Sequence, residues 1–498
     1  MSWALISVYN KEGIIEFAKN LNELGYNIIA TSSTAKEIAK GNIPVHEISE
    51  FTGFSELIGG RVKTLHPKIF AGILVRRDKK EHLEELERNN IPLIDIVVCN
   101  LYPFSQVIKK EDINLEEALE NIDIGGVSLL RAGAKNFPYV LVVSSPEDYN
   151  EVIEKLRENK VDEEFRRKMA IKAFSYTSLY DQVITNFLIG NLSESINITL
   201  KKELDLRYGE NPQQKASFYL LPHQKLPWEK LQGKELSYNN LLDLDSAWNL
   251  VKEFSNPACV IVKHNNPCGV SESSSPVSAF IRAYTADPIS AYGGIVACNF
   301  TIDKDCAEEM NKYFFEVIVA KDITEDARKI FSKKKNLRVL VYKDENTKNP
   351  WEMRALRTGF LIQEFNDSLI NGYEIKTSKK PTEKDLEELI FALKVVKHTK
   401  SNAIVVTKEK QTLGIGAGQM NRVSAVKIAL EKAGEKAKDA YLASDAFFPF
   451  PDSIELAGKF GIKAIIQPSG SIRDEEVIAK AEELGIILVM IPIRHFRH

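Results

Sequence analysis

Over residues 1–195, short apolar runs alternate with stretches in which apolar positions recur at helical spacing. The runs ALISV (4–8), NIIAT (27–31), IDIVVCN (94–100) and YVLVVSS (139–145) are bounded by polar turns and predict buried strands. Between the first two, KEGIIEFAKNLNELG gathers its apolar residues on one helical face and stops at Gly25, a plausible helix cap. Strands alternating with helices predict an α/β domain with a parallel sheet covered on both faces. Ligands of such sheets bind beyond the carboxyl ends of the strands, so the segments after each apolar run are where chemistry is expected. A last helix is predicted over FSYTSLYDQVITNFLIG (174–190), then a domain boundary in the polar stretch NLSESINITLKKELD (191–205). Beyond it come ACVIVKH (258–264), GGIVACNF (293–300), LRVLVY (337–342), NAIVVT (402–407), DAYLASD (439–445), KAIIQPS (463–469) and GIILVMIP (485–492), with helical patterns such as TEKDLEELIFALKVVKHTK between them. Residues 196–498 therefore form a second α/β region of about 300 residues, expected to comprise two subdomains. No repeat at the period of solenoids is present.

A chain of 498 residues exceeds what one core usually organises, which agrees with this division. Its 44% hydrophobic and 27% charged residues exclude a disordered or fibrous class. Lys plus Arg number 66 against 69 acidic residues, a net charge of -3, so bulk charge favours neither nucleic acid nor a membrane surface. An anionic ligand must instead be held by local groups. No apolar run reaches the ~18 residues of a membrane span, and the start MSWALISVYNKEG has no basic leader or cleavage pattern, so no signal peptide is expected. The cysteines at 99, 259, 268, 298 and 306 form no C-x-x-C pair. Neither a disulfide framework nor a zinc site is expected, and a reducing cytoplasm suits this usage.

Candidate chemistry clusters after the strands. GGRVKTLHPK (59–68) places Arg61, Lys63, Thr64, His66 and Lys68 on a predicted loop, a composition suited to phosphate. Tyr9-Asn10-Lys11 follows the first strand and Thr31-Ser32-Ser33-Thr34 the second, where helix N-termini offer free N–H groups to an anion. Such a Thr-Ser-Ser-Thr run, taken alone, serves as an N-cap. CNLYPF (99–104) brings Tyr102 to the end of a strand, and IDIGGVSLLRAGAKN (122–136) sets Asp123 before a helix and Lys135 three turns further on. In the second region, VIVKHNNPCGV (260–270) ends a buried strand in Lys263-His264, followed by a turn Asn-Asn-Pro-Cys-Gly. A Lys–His pair leaving an apolar strand is costly unless solvated or used. The stretches DPISAYGGIVACN, KSNAIVV, LGIGAGQMNR, SDAFFPFPD and QPSGS add loops at strand ends. Gly-Ile-Gly-Ala-Gly lacks the spacing and acidic partner of a dinucleotide fingerprint.

In their order along the whole chain, RVKTLHPK, CNLYPF, IDIGGVSLLRA, LRYGENPQQ, VKHNNPCG, KSNAI, GIGAGQ, SDAFFPF, PSGS and RHFRH resemble the bifunctional purine-biosynthesis family that joins AICAR transformylase to IMP cyclohydrolase. The resemblance implies a methylglyoxal-synthase-like domain over 1–195 that performs the cyclohydrolase step. It also implies a transformylase over 196–498 built of two cytidine-deaminase-like subdomains, 196–370 and 371–498. It places Lys63, Tyr102, Asp123 and Lys135 at the cyclohydrolase chemistry, with Tyr9 to Lys11, Thr31 to Thr34, Arg61, Thr64, Cys99, Asn100 and Ile124 on the nucleotide. In the transformylase it implies Lys263 and His264 as catalytic residues. Arg207, Tyr208, Gly293, Glu316, Asn402, Arg422, Phe447 and Arg494 would hold AICAR, and Val423, Asp452, Ser471 and Ile472 would lie near folate. The implied co-substrate is 10-formyltetrahydrofolate, with no metal, since Cys268 has no C-x-x-C partner of the deaminase kind. The implied partners are AICAR, formyl-AICAR, IMP, folate and a second copy of the chain through its C-terminal half, in the cytoplasm, with no nucleic acid and no membrane. Ser32-Ser33 stand where the family commonly has Gly-Gly, a strained choice if the loop needs positive φ. Two other readings remain open: a metabolite-sensing or RNA-binding protein with an inactive deaminase-like half, and an enzyme keeping one activity.

Overall fold

The computed structural model describes residues 2–110, 112–189, 196–222, 224–343, 349 and 351–498. It comprises two compact units, Met1–Thr199 and Leu200–His498. Residues 191–195, the first part of the expected boundary, lie outside the described residues.

In the first unit, strands β1 (Ser2–Val8), β2 (Tyr26–Ala30), β3 (His46–Glu47), β4 (Ile94–Asn100) and β5 (Leu141–Val143) form, among the described residues, a parallel sheet of order β3-β2-β1-β4-β5. Its central strands carry unbroken apolar runs because both faces are covered; Leu5, Ile6, Ile29 and Val97 are fully buried. Strand order reverses between β1 and β4, whose ends pair Val8 with Asn100, and such a switch point opens a crevice at the carboxyl edge. The last helix spans Glu163–Ile189, starting well before residue 174, because Phe165, Met169, Ala170 and Ala173 extend its buried stripe.

In the second unit β6 (Lys201–Leu206) and β7 (Ala216–Leu220) make a hairpin. The first half then supplies β8 (Trp228–Gln232), β9 (Ala258–Lys263), β10 (Asn266–Glu272), β11 (Ile295–Ile302), β12 (Val317–Ile323) and β13 (Arg338–Tyr342). After the hairpin β14 (Glu352–Ala355) and β15 (Phe360–Gln363), the second half supplies β16 (Glu374–Ile375), β17 (Ile404–Lys408), β18 (Gln411–Gly416), β19 (Tyr441–Ser444), β20 (Ala464–Pro468) and β21 (Ile487–Ile491). Among the described residues these halves share one sheet, β16-β21-β20-β19-β17-β18-β10-β9-β11-β12-β13-β8. Each half repeats one plan: an antiparallel edge strand, a helix, a tight hairpin, then three parallel strands. The halves meet where β10 runs antiparallel to β18. One sheet face is covered jointly by helices Tyr238–Val251 and Glu383–Lys397, while the other carries a separate core for each half.

Two segments depart from the sequence reading. Asn266–Glu272 is a strand and not a turn, and LGIG, read as loop, lies in β18. The glycines mark close helix packing. A Cβ on Gly269 would lie 1.9 Å from the carbonyl oxygen of Ala283, and one on Gly414 would lie 1.9 Å from that of Ala429. Glycine in a strand often signals such an approach.

Because β9, β11, β17 and β19 alternate in direction, one sheet edge collects the amino ends of β11–β13 together with the carboxyl ends of β19–β21. No helix among the described residues is long and apolar enough to cross a membrane.

Candidate functional sites

The first unit gathers its candidates at the switch point. Asn100 ends β4 and accepts, through Oδ1, the N–H groups of Tyr9 (2.7 Å) and Asn10 (2.8 Å), while its Nδ2 donates to the Asn10 carbonyl (3.0 Å). Tyr102 packs edge-on against Tyr9 with ring centroids 5.4 Å apart. Thr31 caps helix Ser32–Ala39, and Thr34 Oγ donates to the Val8 carbonyl at 3.2 Å, tying the loops after β1 and β2 together. Ser32 and Ser33 occupy the first helical turn and neither has positive φ, so they impose no strain on this backbone.

The basic segment closes one side of this crevice. His66 caps helix Pro67–Leu74, which contains Lys68, and Gly59-Gly60 end a 3-10 turn, so of GGRVKTLHPK only residues 61–66 are loop. Lys63 Nζ stands 3.6 Å from Glu56, whose other oxygen accepts from Ser32 Oγ at 2.6 Å. Arg61 pairs with Glu120. Thr64 is buried against Gly125, where a Cβ would meet its hydroxyl at 2.5 Å, so this loop abuts the start of helix Gly125–Lys135.

Asp123 precedes that helix and accepts the Gly126 N–H at 2.7 Å. Burial pushes its carboxyl above the usual range, against the pull of the Gly126 and Tyr102 N–H groups. Burial likewise holds the Cys99 thiol protonated, with Asp123 adding to the effect. Sequence reading missed Tyr176 and Tyr180: the first accepts the Leu101 N–H at 3.1 Å, the second the Asp123 N–H at 2.8 Å. Their spacing of four on one helical face was the available signal. Ile124 is exposed beside Asp123. Lys135 ends the same helix, about 18 Å along its axis from Asp123 at 1.5 Å per residue. The structure does not bring these two together within the first unit.

The second unit places Lys263 and His264 where β9 turns into β10. His264 and Asn265 both have positive φ, 53° and 61°. The Asp243 carboxylate accepts both their N–H groups, at 3.1 and 2.6 Å. Lys263 Nζ donates to the Tyr292 carbonyl at 2.7 Å, immediately before Gly293. These residues border a cavity of about 330 Å³ also lined by Cys268, Asp287 and Lys432. Burial pushes the Cys268 thiol up to about 12, which makes it a poor nucleophile at neutral pH. Next to the turn, Glu316 accepts from Asn240 at 2.9 Å and lies 3.7 Å from Arg338. Arg207 stacks on Tyr208 at 4.7 Å, and its charge helps lower the pKa of Arg338, though burial is the larger cause.

A hydrogen-bonded chain links this cluster to the second half. Ser246 donates to Asn265 (2.9 Å) and accepts from Arg497 (3.0 Å), whose N–H donates to Ser401 (3.1 Å). Ser401 and Arg422 both reach the fully buried Asp445, and Arg422 also donates to Asn402 at 2.6 Å. Phe447 follows Asp445, and Arg494 stacks on Phe496 at 4.7 Å. Val423 adjoins Arg422 at the start of helix Arg422–Ala433, Asp452 opens helix Asp452–Lys459 after β19, and Ser471 and the exposed Ile472 follow β20. All four therefore lie along the edge that bears Asn402. Asp243, Ser246, Asp445 and Arg497 were missed because each supports another group through the fold.

Among the described residues, no three His, Cys, Asp or Glu side chains come together as a metal would require. The five cysteines are unpaired.

Residues 13–128 match the model of an MGS-like domain, and residues 133–432 that of the AICARFT/IMPCHase bienzyme. The chain is 49% identical to the bifunctional purine biosynthesis protein PurH of Desulfitobacterium hafniense strain DCB-2, with 99% of each chain covered. The protein of the same name from Acetivibrio thermocellus is also 49% identical, again over 99% of both chains. A solved structure titled crystal structure of ForH shares 31% identity, covering 38% of this chain and 97% of its own, with a TM-score of 0.35. A bienzyme model spanning over half the chain, and relatives near half identical from end to end, agree with both clusters: the chain belongs to the AICARFT/IMPCHase bienzyme family.

Proposed function

We propose that the turn at Lys263-His264 carries the first of two consecutive reactions of this bifunctional purine-biosynthesis enzyme. The protein transfers a formyl group to AICAR and closes the product to IMP. The formyl donor is a folate, assigned here to 10-formyltetrahydrofolate. The acceptor is the 5-amino group of AICAR, a weak nucleophile because its lone pair is delocalised into the imidazole and carboxamide. It needs a base within hydrogen-bond reach, and His264 supplies it. Lys263, with its ammonium at the Tyr292 carbonyl, stabilises negative charge developing on the formyl oxygen or protonates the folate nitrogen as its bond to the formyl carbon breaks and tetrahydrofolate leaves. The nucleotide is assigned to Arg207, Tyr208, Gly293, Glu316, Asn402, Arg422, Phe447 and Arg494. The folate is assigned to Val423, Asp452, Ser471 and Ile472.

Ring closure is intramolecular, so holding the carboxamide nitrogen against the formyl carbon supplies much of the rate. Asp123 orients or deprotonates the amide, Tyr102 and Lys63 flank it, and the loops at Tyr9–Lys11, Thr31–Thr34 and Arg61–Thr64 hold the phosphate and ribose. Lys135 is assigned to the same chemistry by resemblance, although its place at the far end of its helix gives that role no support within one unit. Two features of the family reading extend beyond the site. A cytoplasmic location is carried over from the resemblance, and a homodimer through the C-terminal unit is in keeping with the exposed Met353, Leu356, Phe360 and Leu361 of the β14–β15 hairpin; sedimentation tests it.

The observation that carries the assignment is a Lys–His pair presented on a hydrogen-bonded turn at a cavity. His264→Ala should lower formyl transfer by roughly 10²–10⁴ while cyclisation of supplied formyl-AICAR stays at the parent rate. A folded variant that still transfers formyl at the parent rate would remove His264 from the mechanism.

A further inference from the structure

We infer that Asp243 is a positioning residue for formyl transfer, its carboxylate fixing the turn that presents Lys263 and His264 to the cavity. The inference rests on the assignment of His264 as the base.

Two consecutive non-glycine residues in the left-handed region form a conformation that side chains disfavour. The twist of the β9–β10 hairpin, which pairs Lys263 with Asn266 around this two-residue loop, favours it, but His264 is not one of the residues that adopt it readily, and a group outside the turn secures it further. Asp243, projecting from helix Tyr238–Val251, accepts the His264 N–H through one oxygen and the Asn265 N–H through the other. Each oxygen thus holds a backbone N–H of the turn, which makes the residue a brace for the segment that carries His264. Removing it would leave two N–H groups without an acceptor and free the turn to relax.

The second half of the unit contains the same device without the chemistry. There the hairpin turn is Glu409-Lys410, with φ of 54° and 53°. The Lys410 N–H reaches both carboxylate oxygens of Glu388 at 3.1 Å, and Glu388 stands on helix Glu383–Lys397, the counterpart of the helix bearing Asp243. At equivalent places, then, an Asp accepts both N–H groups of one turn and a Glu accepts the second N–H of the other. In one half the braced turn carries Lys263-His264; in the other it carries Lys408-Glu409. The second turn is an internal control for the structural part of the effect.

The test uses the full chain and measures formyl transfer, cyclisation of supplied formyl-AICAR and melting temperature. Asp243→Ala should lower transfer kcat about 10–100-fold, as misplacement of a catalytic group does, with KM for AICAR changed less than about threefold and cyclisation unaffected. Asp243→Asn, which keeps one acceptor oxygen, should lose less, and it serves if the alanine variant does not fold. Glu388→Ala should lower the melting temperature while keeping transfer kcat. In a His264→Ala background, Asp243→Ala should cost markedly less than in the parent, because the base through which the brace chiefly acts is already gone. The inference is overturned if Asp243→Ala or Asp243→Asn transfers at the parent rate while His264→Ala is inactive, if the loss is the same in both backgrounds, or if Glu388→Ala loses kcat equally. A His264→Ala protein with parent activity overturns the base assignment instead, and this inference with it.

Discussion

Asp123 occupies surroundings that oppose its own charge. Burial raises its folded-state pKa above the ordinary 3.8, and the N–H groups of Gly126 and Tyr102 recover only part of that cost. For an acid with a raised folded-state pKa, stability is greatest below the ordinary pKa and falls as pH climbs through the folded-state value, so the group destabilises the fold above its ordinary pKa. Functional groups are often held at such a cost. Asp123→Asn keeps an acceptor for Gly126 and removes the charge. It should melt higher than the parent at pH 7, with the difference vanishing by pH ~3, while cyclisation of supplied formyl-AICAR falls by roughly 10² or more. Melting curves across pH, beside the cyclisation rate, check both halves; a variant that gains no stability at pH 7 would contradict the burial argument. At this scale the candidate groups could be picked from their segments, Tyr102 and His264 standing just after β4 and β9, and Lys63 and Asp123 in short polar stretches before helices. The residues that hold them could not. Tyr180 reaches Asp123, and Asp243 reaches His264, only after helices distant in sequence have packed.

The central strands were legible from their unbroken apolar runs: IDIVVCN coincides with β4, and ACVIVK with β9. Among the strands that escaped, β12 has a short apolar run that was passed over, while β10 and β18 contain Pro267, Gly269, Gly414 and Gly416, residues that local propensity assigns to turns. Tertiary packing overrides that preference. The glycines let helices Pro276–Ala286 and Arg422–Ala433 settle directly on the strands, and β10 and β18 are the two strands through which the halves join. Gly414→Ala should therefore destabilise the second unit by about 2–4 kcal/mol, since the intruding methyl meets backbone that cannot swing aside. Gly418→Ala offers a contrast: a Cβ there meets nothing within 4 Å, and only its φ of 66° is strained. Denaturant unfolding of the two variants should rank them in that order, and equal losses would mean that the close approach at Gly414 relaxes freely.

On the scale of the whole molecule, the first unit's hydrophobic core closes on itself. Its buried cluster runs from Ala4 to Tyr180 and draws on no residue of the second unit. The groups assigned to cyclisation, from Tyr9 through Asp123 and its tyrosine braces, lie within the same span. Apolar periodicity lapses in the polar stretch after residue 190, and the compact units divide between Thr199 and Leu200; the strand order that the two halves of the second unit share is not carried by repeated words of sequence. We expect a fragment of residues 1–199 to unfold cooperatively on heating and to convert supplied formyl-AICAR to IMP without folate. It should show no formyl transfer, since Lys263 and His264 are absent from it. Following IMP formation and thermal unfolding on one preparation separates the outcomes. A fragment that melts as a single folded unit yet fails to cyclise would mean that the first unit lacks a group its chemistry needs. Lys135, exposed at the far end of its helix from Asp123, would then be the first residue to test, by asking whether Lys135→Ala abolishes cyclisation in the full chain.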